Sequence, residues 1–254
     1  MRRVLCADLF PSRNALVEIP ESESKHLTSV LRLGPGDSIQ LLDGHGHSAE
    51  GKLVFRDKRV FAELTSTPTS DPRLLSLPIH LKMSIIKGEA MEWVVEKAVE
   101  LGVRSLTPVE TEFTVVKIHK KGAEAFQERW QRIADQALKQ CGRLDRMEVK
   151  PPVTFDALTN PDLLTYWLDE TLANEKNSES HLAHALPHSP PPESALLVGP
   201  EGGFSPSERN RLLQLTVSGN KAIKRVHLGS LILRAETAAL FGISVLVGDH
   251  YGKR

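Results

Sequence analysis

Leu196-Leu197-Val198-Gly199-Pro200-Glu201-Gly202-Gly203-Phe204-Ser205-Pro206-Ser207-Glu208 runs from an apolar stretch straight into a glycine-rich turn. It leaves through Ser205-Pro206-Ser207-Glu208, which has the form of a helix start: a hydroxyl residue, a proline at the first helical position and a glutamate three residues on. Glycines at the carboxyl end of a strand let backbone amides approach a ligand closely, the usual placement of a site in an open α/β sheet. A tight strand-to-helix turn that binds nothing accounts for the same residues. The stretch has neither the GxGxxG of a dinucleotide fold nor the GxxxxGK[ST] of a phosphate loop, so both cofactor classes lose their main support.

Outward from this stretch, strands and helices alternate, which predicts an α/β domain with a mainly parallel sheet. Pro78 to Ile86, Leu106 to Val109, Leu163 to Leu168 and Ala195 to Val198 read as strands. Glu89 to Leu101 reads as a helix stopped by Gly102, and Ala123 to Gln140 as a long amphipathic helix with Gly142 just past its end. Downstream, His227-Leu228-Gly229-Ser230-Leu231-Ile232-Leu233-Arg234-Ala235-Glu236-Thr237-Ala238-Ala239 carries an apolar run into an Arg and a Glu, then a helix through Val247. If that run is a buried strand, the two charges at its end need partners or a function. A structural ion pair and a site role are even alternatives.

Residues 1 to about 68 differ in pattern. Short apolar stretches at Leu16 to Ile19, Ser38 to Leu42 and Leu53 to Leu64 are separated by turns at Gly34-Pro35-Gly36-Asp37 and Asp43-Gly44-His45-Gly46, which predicts a small β-barrel. Helical spacing between Glu21 and Leu33 predicts one short helix in it, and Thr67 to Pro72 reads as a linker. The domains are therefore expected at 1–70 and 71–254. Asn174 to Glu193, rich in Asn, Ser, His and Pro, reads as a surface loop. Its His181, His184 and His188 lack nearby cysteines or a helical frame, so a solvated loop outweighs a zinc site and no metal is expected.

Formal net charge is zero over 254 residues, which argues against bulk attraction to nucleic acid. The balance is uneven: 0 for residues 1–70, +2 for 71–150, −7 for 151–205 and +5 for 206–254. Cations gather at Lys117, Lys120, Lys121, Lys139, Arg143, Arg146 and Lys150, and again at Lys221, Lys224, Arg225 and Arg234. No apolar run approaches the roughly 20 residues that cross a bilayer. Cys6 and Cys141, far apart and without CxxC spacing, suit a reducing compartment, so a cytoplasmic location is expected.

The two glycine-bearing segments together resemble the RsmE branch of the SPOUT RNA methyltransferases, whose signatures look like GPEGGFS and LGxxILRxETA. The likeness extends through Lys87-Gly88, Glu96-Lys97-Ala98-Val99-Glu100-Leu101-Gly102-Val103, Pro108 and Gln140-Cys141-Gly142-Arg143, in the expected order. His26, Val30-Leu31-Arg32, Gly36-Asp37 and Asp43-Gly44 are similar to that family's PUA-like RNA-binding domain. Two departures stand out: Phe113 falls where the family usually has an Arg, and Lys139 where a Glu is common.

The resemblance implies a SPOUT-type parallel sheet with a C-terminal trefoil knot, preceded by a PUA-like barrel. Knots are rare enough that nothing in the periodicity leads to one. It implies S-adenosyl-L-methionine as cofactor, held by Leu197, Val198, Gly199, Pro200, Glu201, Gly202 and Gly203 together with Leu228, Gly229, Leu231, Ile232 and Leu233. It implies a homodimer that methylates N3 of a uridine in 16S ribosomal RNA of the small subunit. Arg234 and Glu236 are the catalytic candidates, with His227 behind them, and Arg3, His26, Arg32, Lys87 and Arg143 the RNA-binding ones. A catalytically silent RNA-binding assembly factor, and a SPOUT enzyme acting on another base, are the rival readings.

Overall fold

The computed structural model describes residues 2–6, 15–57, 59–116, 118, 122–159, 163–174, 180–188, 191–217 and 223–252. Of the cations singled out in the sequence, Lys117, Lys120, Lys121 and Lys221 lie outside them. The chain divides into two compact units, Met1–Leu75 with Asp135–Arg146, and Ser76–Ala134 with Met147–Arg254.

The first unit holds β1 (Arg2–Leu5), β2 (Leu16–Glu18), α1 (Glu21–Lys25), β3 (Ser38–Leu42), β4 (Ser48–Arg56) and β5 (Arg59–Leu64). Among the described residues the strands form one sheet in the order β1-β3-β4-β5-β2. β1 runs parallel to β3 and the other pairs are antiparallel. The two-residue period of a strand sends Val60, Ala62 and Leu64 of β5 into the same core as Val4, Ile39, Leu41 and Leu53. The expected helix after Glu21 is two pieces: α1 gives way to a π-helical turn over His26–Val30, of which only Leu27 is buried. The expected linker is paired rather than free, because Ser48 and Thr69 exchange backbone hydrogen bonds of 2.8 and 2.9 Å.

The second unit contains β6 (Ile79–Ser84), α2 (Gly88–Glu100), β7 (Ser105–Glu110), most of α3 (Ala123–Cys141), β8 (Glu148–Val149), β9 (Val153–Thr154), β10 (Leu164–Leu168), α4 (Leu182–Ala185), β11 (Ser194–Val198), α5 (Pro206–Val217), β12 (Ile223–Val226) and α6 (Ala235–Gly252). Its strands pair in parallel in the order β12-β10-β11-β6-β7-β8, with β9 also on β7. Central β11 is buried at every residue, as a parallel strand covered on both faces must be. α6 lies against β6 and β11. The approach is close: a β-carbon on Gly242 would stand 2.7 Å from Leu196 Cδ2.

Two expectations need correction here. The run Leu231–Leu233 is not a buried strand: β12 ends at Val226, and the residues after it form a loop in which Leu231 is 80% and Ile232 87% exposed. The stretch 174–193 is not all loop, since His181 bridges to His227 in parallel and α4 follows with Leu182 fully buried. Lys139, one of the gathered cations, pairs with Glu23 at 2.5 Å.

Candidate active site

β10, β11 and β12 end side by side, and the loops that follow them wall a cavity of about 720 Å³. Small-molecule sites span roughly 300–1,000 Å³, so it has the capacity for one cofactor of nucleoside size. One wall is the turn after β11. Here Val198, Gly199, Pro200, Glu201, Gly202 and Gly203 line the cavity, and Gly203 takes φ 69°, a left-handed backbone that favours glycine. A β-carbon on Gly199 would come within 3.1 Å of the Phe204 ring, so the turn closes tightly only with glycine there. Leu197 does not reach the cavity; it is buried in the core with Trp167, Phe204 and Leu212.

The start of α5 fixes this turn. Glu208 accepts from the backbone N–H of Ser205 at 2.9 Å, and the Ser205 hydroxyl accepts from the N–H of Glu208 at 3.3 Å, the reciprocal capping arrangement foreseen in the sequence. The other Glu208 oxygen accepts from the N–H of Glu112 at 2.8 Å, tying the loop after β7 to the same helix end. At the opposite edge, the backbone N–H of Lys87 donates to Glu201 Oε1 at 3.3 Å, and Lys87 itself lines the cavity.

The second wall is His227 to Glu236. Leu228, Gly229, Leu231, Ile232, Leu233, Arg234 and Glu236 all line the cavity. Gly229 takes φ 126°, a conformation side-chain-bearing residues avoid, and its N–H donates to His227 Nδ1 at 3.1 Å. His181 stacks edge-on to His227 with ring centres 5.3 Å apart. Burial pushes the His181 pKa below its ordinary value, helped by His227 and His184, while a hydrogen bond to the Leu228 backbone works the other way. Arg234 stands just before α6, where a cation opposes the helix dipole, and Glu236 sits in the first helical turn. Neither is ion-paired among the described residues.

The third wall was missed in the sequence. Leu168, Asp169 and Glu170 continue β10 into the cavity. The Asp169 side chain is wholly buried; its carboxylate accepts from Arg225 Nε at 2.5 Å, from the Thr171 N–H and hydroxyl at 3.0 Å each, and from Arg209. Burial pushes its pKa up, but Arg225, Thr171 and Arg209 outweigh that and hold it below the usual carboxylate range. Both guanidinium groups lie 5.9 Å from the Trp167 ring centre. The signal available was an Asp-Glu pair closing an apolar strand, the position where open α/β sheets place ligands.

His26 and Arg32 are exposed, and Arg32 takes φ 56°. Arg3 is engaged at the end of α3, donating to the carbonyls of Lys139 and Gln140 at 3.0 and 2.9 Å and to Gln40 at 3.1 Å, as a basic side chain caps a helix. Arg143 is only 5% exposed and bonded to Asp145 at 3.0 Å. Among the described residues no group of three His, Cys, Asp or Glu side chains has the geometry of a metal site.

A parallel sheet with three strand-end loops around one cavity, in a chain whose first unit is a small mixed sheet, matches two family models. The one described as RNA methyltransferase domain covers residues 73–247, and the one described as RNA methyltransferase PUA domain covers 19–65. These define the class. A Bacillus subtilis protein named ribosomal RNA small subunit methyltransferase E is 30% identical over 234 residues, 90% of this chain and 88% of its own length. A putative methyltransferase of Legionella pneumophila, solved with bound SAM, superposes with a TM-score of 0.79 at 31% identity, covering 96% of each chain. A Neisseria gonorrhoeae ribosomal RNA small subunit methyltransferase E, solved with S-adenosyl methionine, gives 0.78 at 28% identity over 97% and 96%. The chain belongs to the RsmE family of RNA methyltransferases.

Proposed function

We propose that this chain is a cytoplasmic S-adenosyl-L-methionine-dependent methyltransferase that modifies N3 of one uridine in 16S ribosomal RNA, as a homodimer. The observation that carries the reading is the convergence of the turn Gly199–Gly203 and the loop Gly229–Leu233 on one cavity, with Arg234 and Glu236 in its lining. The cavity fits the cofactor. Val198, Leu228 and Leu233 offer apolar surface for an adenine, the glycines admit close backbone approach, and Glu170 and Glu201 supply acceptors for hydroxyl or ammonium groups. When bound, the cofactor supplies a methyl group already activated by a sulfonium.

What remains for the protein is orientation and charge. Uridine N3 carries a proton at neutral pH, and its loss leaves negative charge on the ring. Arg234, an unpaired cation in the cavity lining, is the group that stabilises this charge and holds the uracil. Glu236, two residues on, orients Arg234 or receives the proton. We assign RNA contacts to His26, Arg32 and Lys87, which are exposed, with residues 1–70 as the RNA-binding domain and 71–254 as the catalytic one. The trefoil knot of the family is proposed for the C-terminal part of the catalytic domain.

Single-turnover methylation of purified, unmodified small subunits under saturating cofactor tests the reading. Arg234→Ala is expected to slow the chemical step by about 100-fold or more while cofactor affinity, read by calorimetry, stays within about twofold. A wild-type rate for this variant removes Arg234 from catalysis, and absence of N3-methyluridine after the wild-type reaction removes the substrate assignment.

A further inference from the structure

Phe113 is exposed for an aromatic side chain: it sits between two buried threonines yet leaves 44% of its surface open. The backbone beneath it is held on several sides. Thr111 N–H donates to Thr114 Oγ1 at 3.0 Å, the two hydroxyls are 2.9 Å apart, and Thr114 N–H donates back to the Thr111 carbonyl at 3.2 Å. The N–H of Glu112 donates to buried Glu208, whose second oxygen holds Ser205 at the start of α5. A loop fixed this firmly presents its apolar tip in one direction.

That tip does not itself line the cavity but packs on a residue that does. A β-carbon on Gly202, a residue of the cavity wall, would lie 3.4 Å from Phe113 Cβ and 3.7 Å from its Cδ2, so the ring rests on the glycine turn. With no side chain on Gly202, nothing of that residue separates the phenyl from a ligand entering beside it. Proteins that do chemistry on a base take it out of its stack and hold it against aromatic or apolar side chains. Stacking on an aromatic ring is also tolerant of base identity and insensitive to salt, unlike a phosphate contact.

We infer that Phe113 is a positioning residue for the RNA, a platform on which a nucleobase at or beside the modified uridine stacks as it enters the cavity. This rests on the methyltransferase reading above and adds a substrate contact to it. The geometry favours a base over a second protein surface because the ring packs directly on Gly202 of the cofactor turn, beside which the target base must come to receive the methyl group.

The experiment compares wild type, Phe113→Ala, Phe113→Leu and Phe113→Trp with unmodified small subunits as substrate. Expected is a rise in KM of about tenfold for Phe113→Ala, because stacking contributes that order per base, with cofactor affinity, molecular mass and melting temperature unchanged. Phe113→Trp restores KM and Phe113→Leu does not. A wild-type KM in Phe113→Ala, equal rescue by Leu and Trp, or a parallel loss of cofactor affinity overturns the inference. The indole introduced by Phe113→Trp adds a second readout, quenching by an oligouridylate relative to the wild-type protein's own tryptophans. That readout is independent of turnover: if wild type transfers no methyl group, quenching still supports the stacking platform and its absence overturns it.

Discussion

The turn Gly199–Gly203 is closed on itself, with Phe204 packed on Phe155 and Trp167 behind it and the Ser205–Glu208 cap below, whereas the loop His227–Arg234 leaves its largest apolar side chains in solvent. Both begin at the carboxyl end of a parallel strand and both line the same cavity. The first is shaped by its own neighbours, since glycine, ring and cap suffice to fix it. The second has its ends fixed, by the Gly229–His227 hydrogen bond and by α6, but Leu231 and Ile232 find no cover among the described residues. Burying such a side chain contributes about 1.5–3 kcal/mol, so a loop carrying two of them gains most from a ligand or a second copy of the chain.

The sharpest way to break this comparison is to put a side chain on each loop's glycine. Gly199→Val brings carbon within 3.1 Å of the Phe204 ring, so the ring must shift to admit it. The expected result is loss of measurable cofactor binding, at least 100-fold by calorimetry, with overpacking costing about 1–3 kcal/mol of stability. Gly229→Ala meets no atom within 4 Å, so its cost comes from the left-handed backbone and is of similar size, about 1–3 kcal/mol. Wild-type cofactor affinity in a folded Gly199→Val protein would show that the turn is not the cofactor wall.

Exposed apolar residues provide the second test. The double change Leu231→Ser with Ile232→Ser should leave the folding stability of an isolated protomer within about 0.5 kcal/mol, since neither side chain is packed. Dimer dissociation should rise at least tenfold in the same protein. Analytical ultracentrifugation across micromolar concentrations reads this directly. A wild-type chain that sediments only as a 28.1 kDa monomer removes the dimer, and with it this explanation of the loop.

The same two loops show how far sequence carries. The parallel sheet and the Ser205–Glu208 cap follow from strand-ending glycines and from family resemblance; of the twelve residues expected to hold the cofactor eleven line the cavity, while Leu197 is packed in the core. The expected strand at Leu231–Leu233 failed because an apolar run says that burial is needed, not that the chain itself provides it. Asp169 was not legible either. Its two cationic partners come from α5 and β12, and the β10–β12 register, which sets Leu168 beside Val226, is what brings Arg225 within reach. The Arg143 case is similar: a basic residue in a basic stretch reads as phosphate-binding, and only Asp145 at 3.0 Å and the surrounding burial take it out of solvent.

The smallest expected effect concerns what holds the second loop from behind. His181 lies in a bridge with His227, its Nδ1 accepts from the Ala183 N–H at 3.3 Å, and its pKa is held below the ordinary histidine value chiefly by burial. Unfolded, His181 binds its proton near pH 6.5; folded, it resists until a lower pH. Between those two values the unfolded chain holds more protons, so stability falls as pH drops through this window and changes little above it. A proton on His181 also places charge beside His227 and costs the Nδ1 acceptor its partner, so the loop after β12 should loosen first. Cofactor affinity is therefore expected to decline between pH 7 and pH 5, and His181→Gln, which cannot take up the proton, should show a flatter decline. His80, also lowered by burial, contributes to the global melt in both proteins and so cancels in the comparison. Calorimetric titrations at pH 7.5 and 5.5 decide the point: parallel losses in wild type and His181→Gln would mean that the histidine pair does not govern the second wall.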